Sequence, residues 1–396
     1  MKIRIILITI LLLSIAYPGS LDSIQVGPGV THYHQVVDSG PWNINIIKID
    51  LNNPWLKFQS VKAGNKLLAF EKTSSMAARN NYEEHRVVAA INGDFYNTST
   101  GEQVGTQVAS GQLLKTNDQW LNVGFNINEK PFIGLNNFYG SLITTDSIRS
   151  IAGVNRARNT DELILYNSFM GSSTTTNQYG IEARIVPIDN WLVNDTIRCI
   201  VDTIVSGVGN MLIGNNKAVL SAHGTAAAFL NNNLLIDDTI KIVFELLPSL
   251  PKLEQLIGGN TWLVQNGVPN PDNGDRHPRT SVGFNQDTTT FFLFVVDGRQ
   301  PGLSIGMSYK ELGDYMKTWG VYNGLNLDGG GSSTMVVRGD IVNSPSDIGG
   351  ERSVSNSLLL VSTAPTGSLS SIRINPREVF INGGSSINLT AKGFDE

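Results

Sequence analysis

The sequence predicts an α+β protein of twisted, mixed β-sheets with few helices, followed by a truncated immunoglobulin-like β domain. Three observations predict it. Apolar runs of strand length recur along the chain between Asn, Gly, Thr and Ser clusters, and 40 glycines in 396 residues fit that many turns. Few stretches carry the 3.6-residue apolar period of a helix. After residue 362 the composition turns first to a linker and then to plain apolar/polar alternation.

The elements follow in order. Residues 1–20, MKIRIILITILLLSIAYPGS, put two cations before an apolar run too short for a comfortable membrane span, the pattern of a secretory signal cleaved near Ser20. The mature chain is therefore expected to be secreted, periplasmic or cell-surface, with no transmembrane segment. Cys199 is the only cysteine, so an intrachain disulfide is excluded and a buried thiol is expected, which suits an exported bacterial protein. The net charge of −5, with no clustered Lys or Arg, argues against nucleic acid as a partner.

NINIIKIDL (43–51) and WLKFQSVKA (55–63) read as strands parted by Asn-Asn-Pro. Thr73 or Ser74 is a candidate cap for a helix through Met76 and Arg79. RVVAAINGDFYN (86–97) reads as a buried strand ending at Asn92-Gly93-Asp94. The middle, about 131–252, alternates short apolar runs with turn clusters, and IKIVFELLP (240–248) is its clearest strand. FFLFVVDGR (291–299) is a continuous apolar strand. SYKELGDYMKTWG (308–320) is a helix with a Ser308/Glu311 capping box, an apolar face of Leu312, Tyr315, Met316 and Trp319, and a stop at Gly320. GLNLDGGG (324–331) is the next strand, so strand, helix and strand suggest a parallel crossover that brings Asp297 and Asp328 to one sheet edge. Residues 30–362 form the main domain, 363–368 a linker and 369–396 the partial immunoglobulin-like domain.

The stretch LNLDGGGSSTMVV (325–337) poses the chemical question, because a strand gives way to a carboxylate and three bare positions. Glycine weakens a strand, so close backbone approach is the reason to look for. INGD (91–94) and VVDGR (295–299) repeat the design, and arginines stand among small residues in HPRT (277–280), DGR and GGERSVSN (349–356). A guanidinium fork and the amides of a Gly-rich turn both favour phosphate or carboxylate. A single Asp-Gly pair is an ordinary turn signal; three with arginines nearby point to an anion site. A lone His277 before proline reads as a loop residue or an acid/base group. Ser332 and Ser333 do not fit a nucleophile elbow, and no Lys-Ser/Thr follows to make a Walker loop. His32 and His34 share a strand face but are too few for a zinc site, and PDNGD (271–275) lacks EF-hand spacing. No cofactor is required on these grounds, and a divalent metal stays open.

INGDFY, HPRTSVGF, VVDGRQPGLSIGMS, LNLDGGGSSTMVV and ERSVSNSLLL follow in an order and spacing that resembles the phosphodiester glycosidase family, over approximately residues 30–362. The resemblance implies a hydrolase that splits a sugar-1-phosphodiester into free sugar and phosphomonoester. With a phosphate ester as leaving group, a strong general acid matters less than charge stabilisation. On that reading Arg279 and Arg299 hold the phosphate with the Gly329, Gly330 and Gly331 backbone, and Ser332 adds a contact. Asp328 is the first choice for the working carboxylate and Asp94 the second. His277 moves a proton, Asn92 and Asp297 orient these groups or meet sugar hydroxyls, and Glu351 and Arg352 support the substrate. Two other functions compete: a non-catalytic glycan-binding module of the cell envelope, and a metal-dependent phosphodiesterase that attacks phosphorus.

Overall fold

One strand sets the layering. In FFLFVV, Phe291, Leu293 and Val295 enter one core while Phe292, Phe294 and Val296 enter another, so both faces of the strand are covered. The computed structural model describes residues 19–248, 250–376 and 379–395; all of the expected leader except Gly19 and Ser20 lies outside the described residues. Along the chain, the elements include β1 (Leu56–Lys62), α1 (Thr73–Arg79), β2 (Arg86–Asn92), α2 (Gly224–Asn233), β3 (Arg279–Phe284), β4 (Thr290–Val296), α3 (Tyr309–Thr318), β5 (Asn323–Asn326), β6 (Met335–Val337) and β7 (Asn356–Ser362). Among the described residues these are the three α-helices, and the rest of the regular structure is almost all strand.

Two sheets pack face to face. The first runs Gly19–Gly27, Val30–Val37, Trp42–Asp50, β4, β3, β5, Thr261–Gln265 and Val268–Pro269; the second runs Asp340–Ile341, β6, β2, β7 and β1. Ile47, Phe291, Leu293 and Leu325 from the first meet Phe58, Ile91, Met335 and Leu358 from the second in a common core. Phe58 stacks on Phe125 at 3.9 Å and tilts against Phe291. Each such buried side chain contributes roughly 1.5–3 kcal/mol.

Helices close the two outer faces. Leu312, Tyr315 and Met316 of α3 cover Phe292 and Phe294, and Met76 and Ala77 of α1 cover Val336 and Leu359. α3 carries the expected capping box, and Gly320 ends it at φ +84°. α1 is different. Neither Thr73 nor Ser74 caps it; the carboxylate of Glu351 accepts from the Ser74 amide at 2.8 Å and from its hydroxyl.

The middle of the chain forms an eight-stranded sheet from Asn137–Ile143 to Thr239–Leu247, with α2 against it and Cys199 wholly buried in its core. A five-stranded sheet of residues 107–135 and Leu253–Gly259 shares side chains with that core and with the sandwich core, joining the two. Adjacent described strands pair antiparallel except Gly153–Val154 with Leu163–Asn167, so the sheets are mixed only in that sense. Residues Leu369–Asn375 and Thr390–Asp395 form a separate hairpin.

Candidate active site

The pairing of β3 with two neighbours builds one edge. β3 is antiparallel to both β4 and β5, with Arg279 opposite Val296 and Ser281 opposite Asn326. β4 and β5 are therefore parallel, as the crossover pattern predicts, but β3 lies between them. His277 and Arg279 thus enter the sheet where Asp297–Arg299 and Asp328–Gly331 leave it. The second sheet meets this edge through β2: the Asp328 amide donates to Gly93 O at 2.9 Å, and Asn92 Nδ2 donates to Asp328 O at 2.7 Å. Asn92 Oδ1 accepts from Thr280 and from the Thr334 amide, so this buried amide fastens the two sheets together.

Each glycine of the turn has its own neighbour. A Cβ on Gly329 would stand 2.7 Å from Pro278 O, the carbonyl that accepts from the Gly330 amide. Gly330 has φ +61°, and a Cβ there would come 3.1 Å from the Arg299 guanidinium. A Cβ on Gly331 would overlap the Asp347 carboxylate and Arg352 Nη2. The bare backbone is needed because one main-chain segment, two arginines and the Asp347 carboxylate close on it. Arg299 itself has φ +59°, a left-handed backbone uncommon outside glycine and costing about 1 kcal/mol, which turns its side chain back over Gly330.

The three candidate aspartates differ in what they face. Asp328 is half-buried, and its Oδ1 accepts from the Gly329 amide at 2.9 Å. Burial raises it to about 6, against the opposing pull of Ser332, the Gly329 amide and Arg352. The buried Ser332 hydroxyl lowers the pKa of both Asp328 and Tyr96, although it makes no well-aligned hydrogen bond among the described residues. Asp94 is 1% exposed and bound only by the protein: Gly105 N–H to Oδ2 at 2.6 Å and Trp120 Nε1 to Oδ1 at 2.9 Å. Burial pushes Asp94 up to about 7, and the charge of Asp328 adds to the rise. Asp297 is also buried and serves Asn343 and the Ser344 amide; burial raises it to about 6.

Gly258 makes room for Asp94, since a Cβ there would lie 2.6 Å from its Cγ. Gly258→Ala is expected to displace that carboxyl and cost about 1–3 kcal/mol, read as a lower urea midpoint.

The cations divide likewise. Arg299 is exposed, forms no ion pair among the described residues, and approaches His277 Nδ1 at 3.3 Å. Burial, then Arg279 and Arg299, hold the His277 pKa below its ordinary value, which favours neutral imidazole. Arg279 is 8% exposed; it donates to Met307 O and Asp275 O and lies 4.3 Å over the Tyr309 ring. Its backbone is at the turn, but its guanidinium points to Tyr309. Arg352 pairs with Asp347 through two hydrogen bonds of 2.7 and 2.9 Å. Glu351 is occupied by Ser74 on α1. Asp328, Arg299, Arg352, His277 and Ser332 therefore gather around Gly329–Gly331, with Asp94 behind them and Arg279, Asp297, Asn92 and Glu351 holding structure.

Sequence reasoning missed Tyr96, Trp120, Asp347 and Asn356. Burial raises the Tyr96 pKa, its hydroxyl donates to Ser353 O at 3.2 Å, and it faces Asp328, Ser332 and Arg352. A signal was present: Tyr96 follows Asp94 by two residues in the INGDFY stretch. Asn356 accepts from the Asp94 amide at 2.8 Å, a contact across 262 residues that carries no local sign. Among the described residues no three His, Cys, Asp or Glu side chains group as metal ligands; His32 and His34 bond Asn45 and Asn43 instead.

Parts of the chain resemble known proteins. Residues 192–361 match the phosphodiester glycosidase family model, and that span contains β3 to β7 with the Gly-rich turn. The chain is 29% identical over 122 residues to mouse (Mus musculus) N-acetylglucosamine-1-phosphodiester alpha-N-acetylglucosaminidase, covering 26% of this chain and 23% of that protein. It is 34% identical over 106 residues to the SPbeta prophage-derived uncharacterized protein YomE of Bacillus subtilis (strain 168), covering 25% of this chain and 16% of that one. The matches thus span under a quarter of either curated relative. A solved hypothetical protein from Synechocystis shares the fold, with TM-score 0.64 at 15% identity over 87% of this chain and 64% of that one. Residues 192–361 are therefore the part of the chain that resembles the phosphodiester glycosidase family.

Proposed function

We propose that this protein is an exported hydrolase that cleaves sugar-1-phosphodiesters to free sugar and phosphomonoester. The observation that carries the reading is the convergence of a half-buried carboxylate, Asp328, and a guanidinium outside any ion pair among the described residues, Arg299, on the two sides of one bare turn. The family match and the mouse relative's name support the substrate class, with N-acetylglucosamine-1-phosphodiesters the first to try. The apolar run in residues 5–16 supports export, and among the described residues no helix is long and apolar enough to cross a membrane. The 369–395 hairpin is read as part of an immunoglobulin-like unit.

The roles follow from exposure and charge. The phosphate lies against Arg299, with Arg352 and the Gly330–Gly331 backbone beside it. Water attacks the anomeric carbon, its proton passes to the Asp328 carboxylate, and the C–O electron pair leaves on the phosphate oxygen. Arg299 steadies that growing charge. His277, held toward the neutral form, stands beside Arg299 to relay a proton. Asp94 keeps its donors and shapes the field around Asp328 without touching substrate.

Because Asp328 must be ionised, kcat is expected to rise with pH through about 6, the value to which burial raises it. A kcat profile between pH 4 and 8 that is flat through this range would reject Asp328 as the base. The activity itself is tested by following reducing sugar released from a panel of sugar-1-phosphodiesters. Binding without release would favour the glycan-binding module, and loss of release on chelation would favour the metal-dependent phosphodiesterase.

A further inference from the structure

Lys62, at the end of β1, is 1% exposed, yet it ends in a full set of polar contacts. Its Nζ donates to Gly101 O at 2.7 Å, Ser355 O at 2.9 Å and Ser355 Oγ at 2.7 Å. The Ser355 hydroxyl spends its own proton on Gly101 O at 2.7 Å, which leaves a lone pair for the lysine. Three acceptors for three N–H bonds is the geometry of an ammonium, since a neutral amine would leave one acceptor over. A cation buried this deeply is costly, and an apolar side chain would fill the same space.

The two segments that it joins explain its presence. Gly101 belongs to the 95–105 turn, which carries Tyr96 and the Gly105 amide that donates to Asp94. Ser355 belongs to the 352–356 segment, which carries Arg352, the Ser353 carbonyl that takes the Tyr96 hydroxyl, and the Asn356 side chain that takes the Asp94 amide. The charged groups that face Lys62 are Glu102, Asp94 and Lys115; those that face Asp94 include Asp328. Glu102, the acid that acts on Lys62 most strongly, is paired with Lys115 at 2.8 Å, and Asp94 is the wholly buried acid of the set.

We propose that Lys62 is a positioning residue of this site: its buried ammonium clamps the 95–105 turn to the 352–356 segment and supplies the positive charge that favours the Asp94 carboxylate. Burial opposes both ions, lowering Lys62 to about 7 and raising Asp94 to about 7; the Asp94 charge favours the Lys62 ammonium, and by reciprocity loss of the ammonium is expected to shift Asp94 further up. The proposal rests on the reading of this cluster as the working site, and its test does not need hydrolysis.

Trp120 donates its indole N–H to Asp94 Oδ1, so its fluorescence reports the ionisation of that carboxyl. The signal is the difference between the protein and its Trp120→Phe variant, titrated from pH 4 to 9. In the Lys62→Met background the midpoint is expected to move upward by about one pH unit. Ser355→Ala, which removes one acceptor from the ammonium and leaves the lysine in place, is expected to move it upward by less. A midpoint that stays put or falls in Ser355→Ala, and in Lys62→Met where that variant folds, overturns the proposal. An upward move in either supports it, whatever the substrate screen returns.

Discussion

Asp328→Asn is expected to fold like the parent and to lose about 10³-fold in kcat. Asparagine preserves the volume and the oxygen that accepts from the Gly329 amide. It removes the charge of a partly buried carboxyl that faces Arg352 and Ser332. Stability should not fall. Desolvation already raises this carboxyl to about 6 in the folded chain, so ionising it costs more there than in the unfolded chain. Such a group contributes stability below its unfolded value near 4 and loses it as pH rises through the folded value. The neutral variant is therefore expected to match or exceed the parent in urea at pH 8. A folded variant that turns over at the parent rate would remove Asp328 from the mechanism.

Arg299→Ala is expected to lower kcat/KM by about 10²–10³-fold, the effect of removing one preorganised group from a developing anion. The side chain is exposed, and among the described residues no carboxylate claims it, so little packing or pairing is lost. The left-handed backbone at φ +59° is no easier for alanine, and the fold is expected to survive because the parent tolerates the same strain. Lysine at this position should recover only part of the loss, because a point charge cannot reproduce the fork over Gly330. Arg352 provides the contrast. It is bound to Asp347 through two hydrogen bonds, and its replacement also frees that carboxylate beside Gly331, so its effect mixes lost attraction with new repulsion. An Arg299→Ala enzyme with parental kcat/KM would show that the phosphate does not lie at the Gly330 side of the turn.

The sequence made the edge of the site readable because Asp-Gly after a long apolar run marks where a strand leaves a sheet. The capping box and apolar face of α3 were equally local, and both are present. What it left unread depended on distant partners. The cap of α1 comes from Glu351, 277 residues from Ser74, so the nearby Thr73 and Ser74 were misleading candidates. The direction of Arg279 is set by Tyr309 and two carbonyls, and no pattern around HPRT discloses that its guanidinium leaves the turn. The glycines are points of close approach, as read, but the groups that approach are the protein's own arginines, the Asp347 carboxylate and the Pro278 carbonyl. The middle of the chain showed strands without chemistry, since its alternation serves an extended sheet core.

Hydrolysis of a sugar-1-phosphodiester in ¹⁸O-labelled water tests the central claim most directly. Attack at the anomeric carbon, with Asp328 taking the proton and Arg299 holding the leaving phosphate, puts the label on the sugar and none on the phosphomonoester. Label on the phosphate would mean that phosphorus is the centre attacked. Asp328 could not then be the base for attack on carbon, nor Arg299 the grip on a departing phosphate.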